Sequence, residues 1–161
     1  MQVPFASLPG GCWPLIWEMT MASILIIDDQ PCVRQIISEE LILEGHQVRS
    51  LGDTELVREH LQCFQTDLVL LDLFLDGFKG FGVCRDIKWR YPELPVVILT
   101  AYDSFEDDPR LCMADGYVVK SCDFTGLKTK VFDILEHQPA PQKEISIQPC
   151  LFDFARGLIL K

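Results

Sequence analysis

The sequence predicts an α/β fold in which a doubly wound parallel sheet carries helices on both faces, and two observations lead to this class. Short aliphatic runs, such as residues 24–27 and 68–71, are typical of strands that are buried on both faces. Segments with apolar residues at helical spacing separate these runs. Regular alternation of strands and helices indicates right-handed βαβ units, and such units build a parallel sheet.

Five strands and five helices are predicted between residues 22 and 138. The strands cover residues 23–27, 46–51, 67–71, 95–99 and 117–119. The first helix runs from about Pro31 to Gly45, a residue type that commonly ends helices. The other helices cover residues 53–64, a segment after Gly80 that ends near Arg90, 104–113, and a segment from Phe124 that stops before Pro139. The helix over 104–113 is the weakest of them because Pro109 interrupts it.

The central segment suits the flavodoxin-like strand order 2-1-3-4-5, for which about 118 residues suffice. Residues 1–21 form an apolar N-terminal extension of doubtful origin, and the pattern favours Met21 as the natural start. The alternative is an apolar arm that docks on the domain or on a partner. Residues 139–161 are rich in proline at their beginning and are predicted to be a linker with a short C-terminal tail.

The charge distribution excludes several function classes. The 161-residue chain has a formal net charge of −10, and residues 21–138 carry 21 acidic and 11 basic side chains. Because phosphate contacts need Lys and Arg, direct nucleic-acid binding by this chain is not expected. No apolar run reaches the ~18 residues of a membrane span. Seven cysteines without a Cys-x-x-Cys spacing favour buried, reduced thiols of a cytoplasmic protein over a zinc or redox site.

Polar side chains stand at the carboxyl ends of four predicted strands. In order along the chain they are Asp28 with Asp29, Asp72, Thr100 and Lys120. The functional crevice of a parallel α/β sheet lies outside these ends, so the five side chains are expected to converge. A single aspartate after a strand is more often a helix N-cap, and Asp29 alone could be one. The joint pattern points instead to a site.

The chemistry of that site follows from its charges. Three carboxylates repel one another and need a cation, and oxygen ligands without His or Cys favour Mg²⁺ over Zn²⁺. A carboxylate is also a competent nucleophile toward phosphorus and would form an aspartyl phosphate. The metal and Lys120 would neutralise the phosphoryl oxygens, and Thr100 would donate a hydrogen bond to one of them.

These residues make the sequence resemble the receiver domains of bacterial two-component response regulators over about residues 22–138. The matching positions are residues 24–29, residues 70–72, Gly80 eight residues after Asp72, residues 99–101 and residues 115–120. The resemblance implies a phosphorylatable signalling switch in the cytoplasm, and not an enzyme that turns over a substrate.

The resemblance implies a role for each matching residue. Asp72 would accept the phosphoryl group from a sensor histidine kinase or a histidine phosphotransfer protein. Asp29 would bind Mg²⁺ directly, Asp28 would assist through water, and Asp72 with the backbone carbonyl of Phe74 would complete the protein ligands.

Three residues are implied in reading out the phosphorylated state. Thr100 and Lys120 would bind the phosphoryl group. Tyr117 matches the family's switch aromatic, which turns inward when Thr100 moves toward the phosphate. The surface of the fourth helix, fifth strand and fifth helix would change with it, and homodimerisation through this surface is one expectation.

The sequence departs from the family pattern near the site. Ser121 stands where the family usually has a proline, often after a cis peptide bond, and Asp76 with Gly77 replaces a customary Met-Pro. Phe74 and Tyr102 occupy positions that influence the lifetime of the phosphate in the family. The hypothesis is that these two rings hinder the hydrolytic water.

Other function classes are less compatible with the same residues. A haloacid-dehalogenase-type phosphatase needs a second aspartate where this chain has Phe74, and a flavodoxin would find its phosphate repelled by residues 28–29. A binding-only adaptor is disfavoured because every site residue is present, but it stays an alternative. Residues 144–157 are faintly similar to the opening strands of winged-helix domains. A receiver fragment of a longer DNA-binding transcriptional regulator is therefore a further alternative.

Overall fold

The computed structural model describes residues 21–75, 77, 79–102 and 108–137, and these residues form one parallel sheet covered by helices. The strands are β1 (Ser23–Ile27), β2 (Gln47–Leu51), β3 (Leu68–Asp72), β4 (Val96–Thr100) and β5 (Gly116–Val119). Their order in the sheet is β2-β1-β3-β4-β5, and all four pairings are parallel. The predicted fold class and strand order are confirmed.

Four α-helices lie in the described part of the chain. They are α1 (Pro31–Leu43), α2 (Val57–Cys63), α3 (Gly80–Arg90) and α4 (Thr125–Glu136), with short 3-10 helices at Thr54–Leu56 and Pro109–Leu111. The predicted helix over 104–113 is therefore wrong in its described part. Pro109 has no N–H to donate, and the Asp108 side chain accepts a hydrogen bond from the Arg110 N–H, so the backbone closes a local turn instead.

The sheet separates two apolar cores because successive strand residues point to opposite faces. On one face α2 and α3 pack over the core that contains Leu25, Ile27 and Leu71. On the other face α1 and α4 pack over the core that contains Ile26 and Leu70. Burial of each such side chain contributes about 1.5–3 kcal/mol, so these layers fix the position of the strand ends.

Some details differ from the expectations. Among the five described cysteines, all free thiols, only Cys84 is buried, and Cys32, Cys112 and Cys122 are exposed, because they lie at helix ends and in loops. The Lys120–Ser121 peptide bond is trans. The N-terminal extension and the C-terminal tail, residues 1–20 and 138–161, lie outside the described residues. No helix in the described ranges is both long and apolar enough to cross a lipid bilayer.

Candidate functional site

A lysine and two buried aspartates meet at the carboxyl ends of β1, β3 and β5. The Lys120 Nζ atom donates hydrogen bonds to Asp28 Oδ2 at 2.7 Å and to Asp72 Oδ2 at 2.8 Å. Asp28 is 0 % exposed and Asp72 is 2 % exposed. The ammonium group therefore compensates two carboxylates that are almost entirely buried.

The same contacts decide the charge of the lysine. Burial alone would lower the pKa of Lys120, but the hydrogen bonds and charges of Asp28 and Asp72 outweigh it, and the pKa is raised. The pair of aspartates therefore keeps Lys120 protonated at neutral pH. The lysine arrives here because its backbone N–H bonds to the Thr100 carbonyl at 2.7 Å, which extends the β4–β5 pairing by one residue.

Backbone N–H groups hold the second oxygen of each buried carboxylate. Asp28 Oδ1 accepts from the Gln30 N–H at 2.8 Å, and Asp72 Oδ1 accepts from the Phe74 N–H at 3.1 Å. Both bonds join an aspartate to the residue two positions later, as in turns initiated by Asp or Asn. The turn that follows each strand thus orients the carboxylate of the aspartate at the strand's carboxyl end.

Gly80 allows α3 to begin directly against the end of β3. A Cβ atom at this position would lie 2.3 Å from the Asp72 carbonyl oxygen and 2.6 Å from Leu73 Cα. Both atoms belong to the backbone, so no side-chain movement could relieve the overlap. Glycine is required here by close approach of two backbones.

A third carboxylate completes the group. Oxygen atoms of Asp28, Asp29 and Asp72 all lie within 4.8 Å of one another, and Asp29 is the exposed member. The N-cap of α1 is Gln30, so Asp29 is not the helix cap that the alternative interpretation proposed. Three carboxylates facing one ammonium leave an excess of negative charge. This donor set of hard oxygen atoms fits Mg²⁺.

Phe74 and Tyr102 pack together beside this group. Their ring centroids are 4.9 Å apart with an interplanar angle of 50°. The Phe74 carbonyl accepts a hydrogen bond from the Gly77 N–H at 3.3 Å. The two loops that follow β3 and β4 are therefore joined by aromatic side chains above the strand ends.

Thr100 and Tyr117 both contact the backbone of Tyr102. Thr100 is fully buried, and its Oγ1 accepts a hydrogen bond from the Tyr102 N–H at 3.3 Å. The Tyr117 ring is half-buried against the α2–α3 core, and its hydroxyl donates to the Tyr102 carbonyl. The predicted switch pair thus meets at a single residue of the loop after β4.

Two residues next to the site were not singled out from the sequence. Arg34 Nη1 donates a hydrogen bond to the Asp28 carbonyl at 2.6 Å, and Gly52 borders the guanidinium group. Two features of the sequence could have pointed to them. One is a cation one turn into the helix that follows the first strand, and the other is a glycine directly after the second strand.

The sequence is similar to known proteins over most of the described part of the chain. Residues 24–132 match the model of the response regulator receiver domain family. The chain is 36% identical over 105 residues to the transcriptional regulatory protein AfsQ1 of Streptomyces coelicolor, which covers 62% of this chain and 45% of that protein. It is 27% identical over 136 residues to the two-component response regulator PhoP of Pseudomonas aeruginosa, covering 83% and 60% respectively. The chain spans about half the length of the curated relatives it matches.

Solved structures give the same result. The response regulator protein TrrA of Thermotoga maritima in complex with Mg²⁺-BeF has 34% sequence identity and a TM-score of 0.68, and the match covers 71% of this chain and 99% of that one. TrrA in complex with the histidine kinase ThkA gives 35% identity and a TM-score of 0.67 with the same coverage.

Proposed function

The chain belongs to the response regulator receiver domain family, and from that membership we propose that Asp72 accepts a phosphoryl group from the phosphohistidine of a histidine kinase or phosphotransfer protein. Receiver domains are signalling modules of two-component systems. The observation that supports the proposal best is the convergence of three carboxylates with the Lys120 ammonium, which contacts Asp72 at 2.8 Å.

The proposed step transfers one phosphoryl group between two side chains. A carboxylate oxygen of Asp72 attacks phosphorus, the P–N bond to the donor histidine breaks, and its electron pair returns to the imidazole nitrogen, which takes up a proton. The ammonium of Lys120 attracts the phosphoryl oxygens. Thr100 is the last residue of β4, and its hydroxyl donates a hydrogen bond to one of these oxygens.

The residues that would hold Mg²⁺ are Asp28, Asp29, Asp72 and the backbone carbonyl of Phe74. When bound, the ion neutralises negative charge on the phosphoryl oxygens. Lys120 lies between the two buried carboxylates and keeps them from repelling one another in the free protein. We expect no substrate turnover beyond this transfer and slow loss of the phosphate.

The proposed output begins at Thr100. A new dianion on Asp72 attracts the Thr100 hydroxyl and the Lys120 ammonium. The space that Thr100 vacates allows the Tyr117 ring to repack. The surface that responds is formed by β5, α4 and the 3-10 helix Pro109–Leu111, which occupies the position of the expected fourth helix. Homodimerisation through this surface is a proposal, as is a cytoplasmic location, which is supported by the free thiols of the five cysteines in the described ranges.

The proposal is tested by incubating the full chain with acetyl phosphate and Mg²⁺ and measuring intact mass. The wild-type chain gains one phosphoryl group, Asp72→Asn gains none, and removal of Mg²⁺ by a chelator prevents the gain. Asp86→Asn, which changes an exposed carboxylate on α3, is phosphorylated like the wild type. A phosphorylated Asp72→Asn variant would assign another acceptor. No mass gain in the wild type with any small donor or with a kinase would favour the binding-only adaptor.

The curated relatives support a second candidate for the output. AfsQ1 is a transcriptional regulatory protein of which the match covers 45%. A receiver that controls a DNA-binding domain in a longer protein is therefore a candidate for the whole product. Sequencing the reading frame beyond residue 161 in the genome of origin, followed by DNA binding of the complete product, tests this candidate.

A further inference from the structure

We propose that Arg34 is a positioning residue, which fixes the Asp28–Asp29 peptide and thereby aims Asp29 into the metal site, and that Gly52 keeps the space for its guanidinium group. This inference rests on the proposed function, because it concerns the same Mg²⁺ site. It adds two residues that lie outside the matching motifs.

The Asp29 side chain is held by fewer contacts than that of Asp28. Asp29 is exposed, and no described residue donates a hydrogen bond to its carboxylate. Asp28, in contrast, has its carboxylate bound by Lys120 and the Gln30 N–H, and its own N–H bonds to the Leu51 carbonyl at 3.1 Å. The direction of the Asp29 side chain therefore depends on its main chain.

Arg34 holds the peptide that joins these two aspartates. Its carbonyl oxygen belongs to Asp28, and Arg34 Nη1 donates to that oxygen at 2.6 Å. Because a peptide unit is planar, fixing its oxygen also fixes the N atom and Cα of Asp29. Arg34 lies in the first turn of α1, and its N–H bonds to the Gln30 carbonyl at 3.1 Å, so the helix carries the arginine to a defined place.

Gly52, which follows β2, lies against the guanidinium group of Arg34. A Cβ atom at Gly52 would lie 2.8 Å from Arg34 Nη1 and 3.1 Å from Cζ. The clash involves the end of a flexible side chain, so a methyl group would displace the guanidinium group and leave the backbone in place. Gly52→Ala therefore removes the contact of Arg34 while keeping its charge.

Positioning and charge make opposite predictions for Mg²⁺ binding. A positive charge near a cation site weakens cation binding, so a purely electrostatic role means that Arg34→Met binds Mg²⁺ more tightly. A positioning role means that Arg34→Met and Gly52→Ala both bind Mg²⁺ roughly tenfold more weakly, the usual effect of removing an outer partner of a metal ligand. The Mg²⁺ affinity of Arg34→Lys, which keeps a hydrogen-bond donor and the charge, should lie between those of Arg34→Met and the wild type.

Isothermal titration calorimetry with Mg²⁺ on the full chain measures these affinities, and thermal unfolding without Mg²⁺ reports folding. Gly82→Ala is the matched control, because a Cβ there meets nothing within 4 Å, and its affinity equals that of the wild type. Weaker binding by Gly52→Ala at an unchanged unfolding temperature supports the proposal, even if Arg34→Met does not fold.

Two results would overturn the proposal, and they are distinguishable. If the wild type binds Mg²⁺ and is phosphorylated on Asp72 while Gly52→Ala and Arg34→Met bind Mg²⁺ equally well or better, only the role of Arg34 falls. If the wild-type chain binds no Mg²⁺ and Asp29→Asn does not change phosphorylation of Asp72, the proposed function falls as well. Arg34 then has no metal ligand to position.

Discussion

The acidic pocket and the turn over residues 108–111 are held in place by different kinds of contact. In the acidic pocket, formed by Asp28, Asp29, Asp72 and Lys120, the lysine contacts buried carboxylates that are 92 and 48 residues away in the sequence. In the turn over residues 108–111, Arg110 contacts the carboxylate of Asp108, only two residues away.

The second region is also more exposed. The Arg110 side chain is 59% exposed, and its guanidinium group lies 4.0 Å from the centroid of the Phe81 ring on α3. The acidic pocket depends on the sheet, which brings residues together that are distant in the sequence. The 108–111 turn is closed by the contact between Asp108 and Arg110, which are two residues apart. Substitutions in the pocket should therefore affect the stability of the whole domain, and substitutions in the turn should act locally.

Lys120→Met is expected to have the largest effect. The substitution leaves Asp28 and Asp72 buried without their cation, and breaking such a pair costs about 3 kcal/mol or more. At pH 7 without Mg²⁺, the free energy of unfolding measured in urea should fall by about that amount. Added Mg²⁺ should restore part of the loss, because it compensates the same carboxylates.

Lys128→Met is the matched control for this prediction. Lys128 on α4 also contacts two carboxylates, Glu40 at 2.9 Å and Glu44 at 2.8 Å, but all three side chains are at least 30% exposed. Exposed ion pairs contribute little, so its loss should be far smaller than that of Lys120→Met. Equal losses in the two variants would contradict the distinction between buried and exposed contacts.

Gly80→Ala is expected to be the next largest effect. Its methyl group would overlap the backbone of Asp72 and Leu73, and such overpacking costs about 1–3 kcal/mol. Gly82→Ala, two residues later in α3, should instead stabilise the helix by up to about 1 kcal/mol. Thermal unfolding of both variants measures the contrast. A Gly80→Ala variant as stable as Gly82→Ala would show that α3 moves away from β3 without cost.

The sequence predicted the acidic pocket well because its residues are specified by strand ends. Parallel strands bring their carboxyl ends to one edge, so Asp28, Asp72 and Lys120 could be placed together from the strand pattern alone. Buried aliphatic runs identified β1, β3 and β4, and all five strands were predicted with boundaries shifted by at most about one residue.

The loops were less predictable because their contacts depend on side-chain direction. Nothing in the residue spacing shows that the Phe74 and Tyr102 rings meet, or that Arg34 reaches the Asp28 carbonyl. The helix expected at 104–113 shows the same limitation, because local contacts there prevent an element that the residue pattern predicted. There, one proline and one aspartate–arginine contact outweigh a weak apolar pattern in the described residues.

Phe74 and Tyr102 pack together beside the acidic pocket, and their substitution is expected to have a moderate effect. If the packed rings hinder the hydrolytic water, Phe74→Asn and Tyr102→Glu should each lose the phosphate about threefold to tenfold faster, which corresponds to about 0.7–1.4 kcal/mol in activation free energy. The decay of phosphorylated protein after removal of the donor is the measurement. Trp89→Asn, which removes an exposed ring elsewhere on α3, should not change the decay. Unchanged decay in both site variants would contradict the hypothesis.

The smallest expected effect is a local one in the 108–111 turn. Hydrogen bonds from the Arg110 side chain and backbone lower the pKa of Asp108 from 3.8 to about 2. A lowered pKa means that the ionised contact contributes fully above pH 3.8 and is lost as the pH falls through about 2. At pH 3, NMR of the side-chain carboxyl carbon should find Asp108 mostly ionised in the wild type and in Arg85→Gln. In Arg110→Gln the protonated fraction should be clearly larger, because the side-chain bond is gone while the backbone bond to Asp108 remains. An Asp108 titration that Arg110→Gln leaves unchanged would mean that the backbone, and not this ion pair, organises the turn.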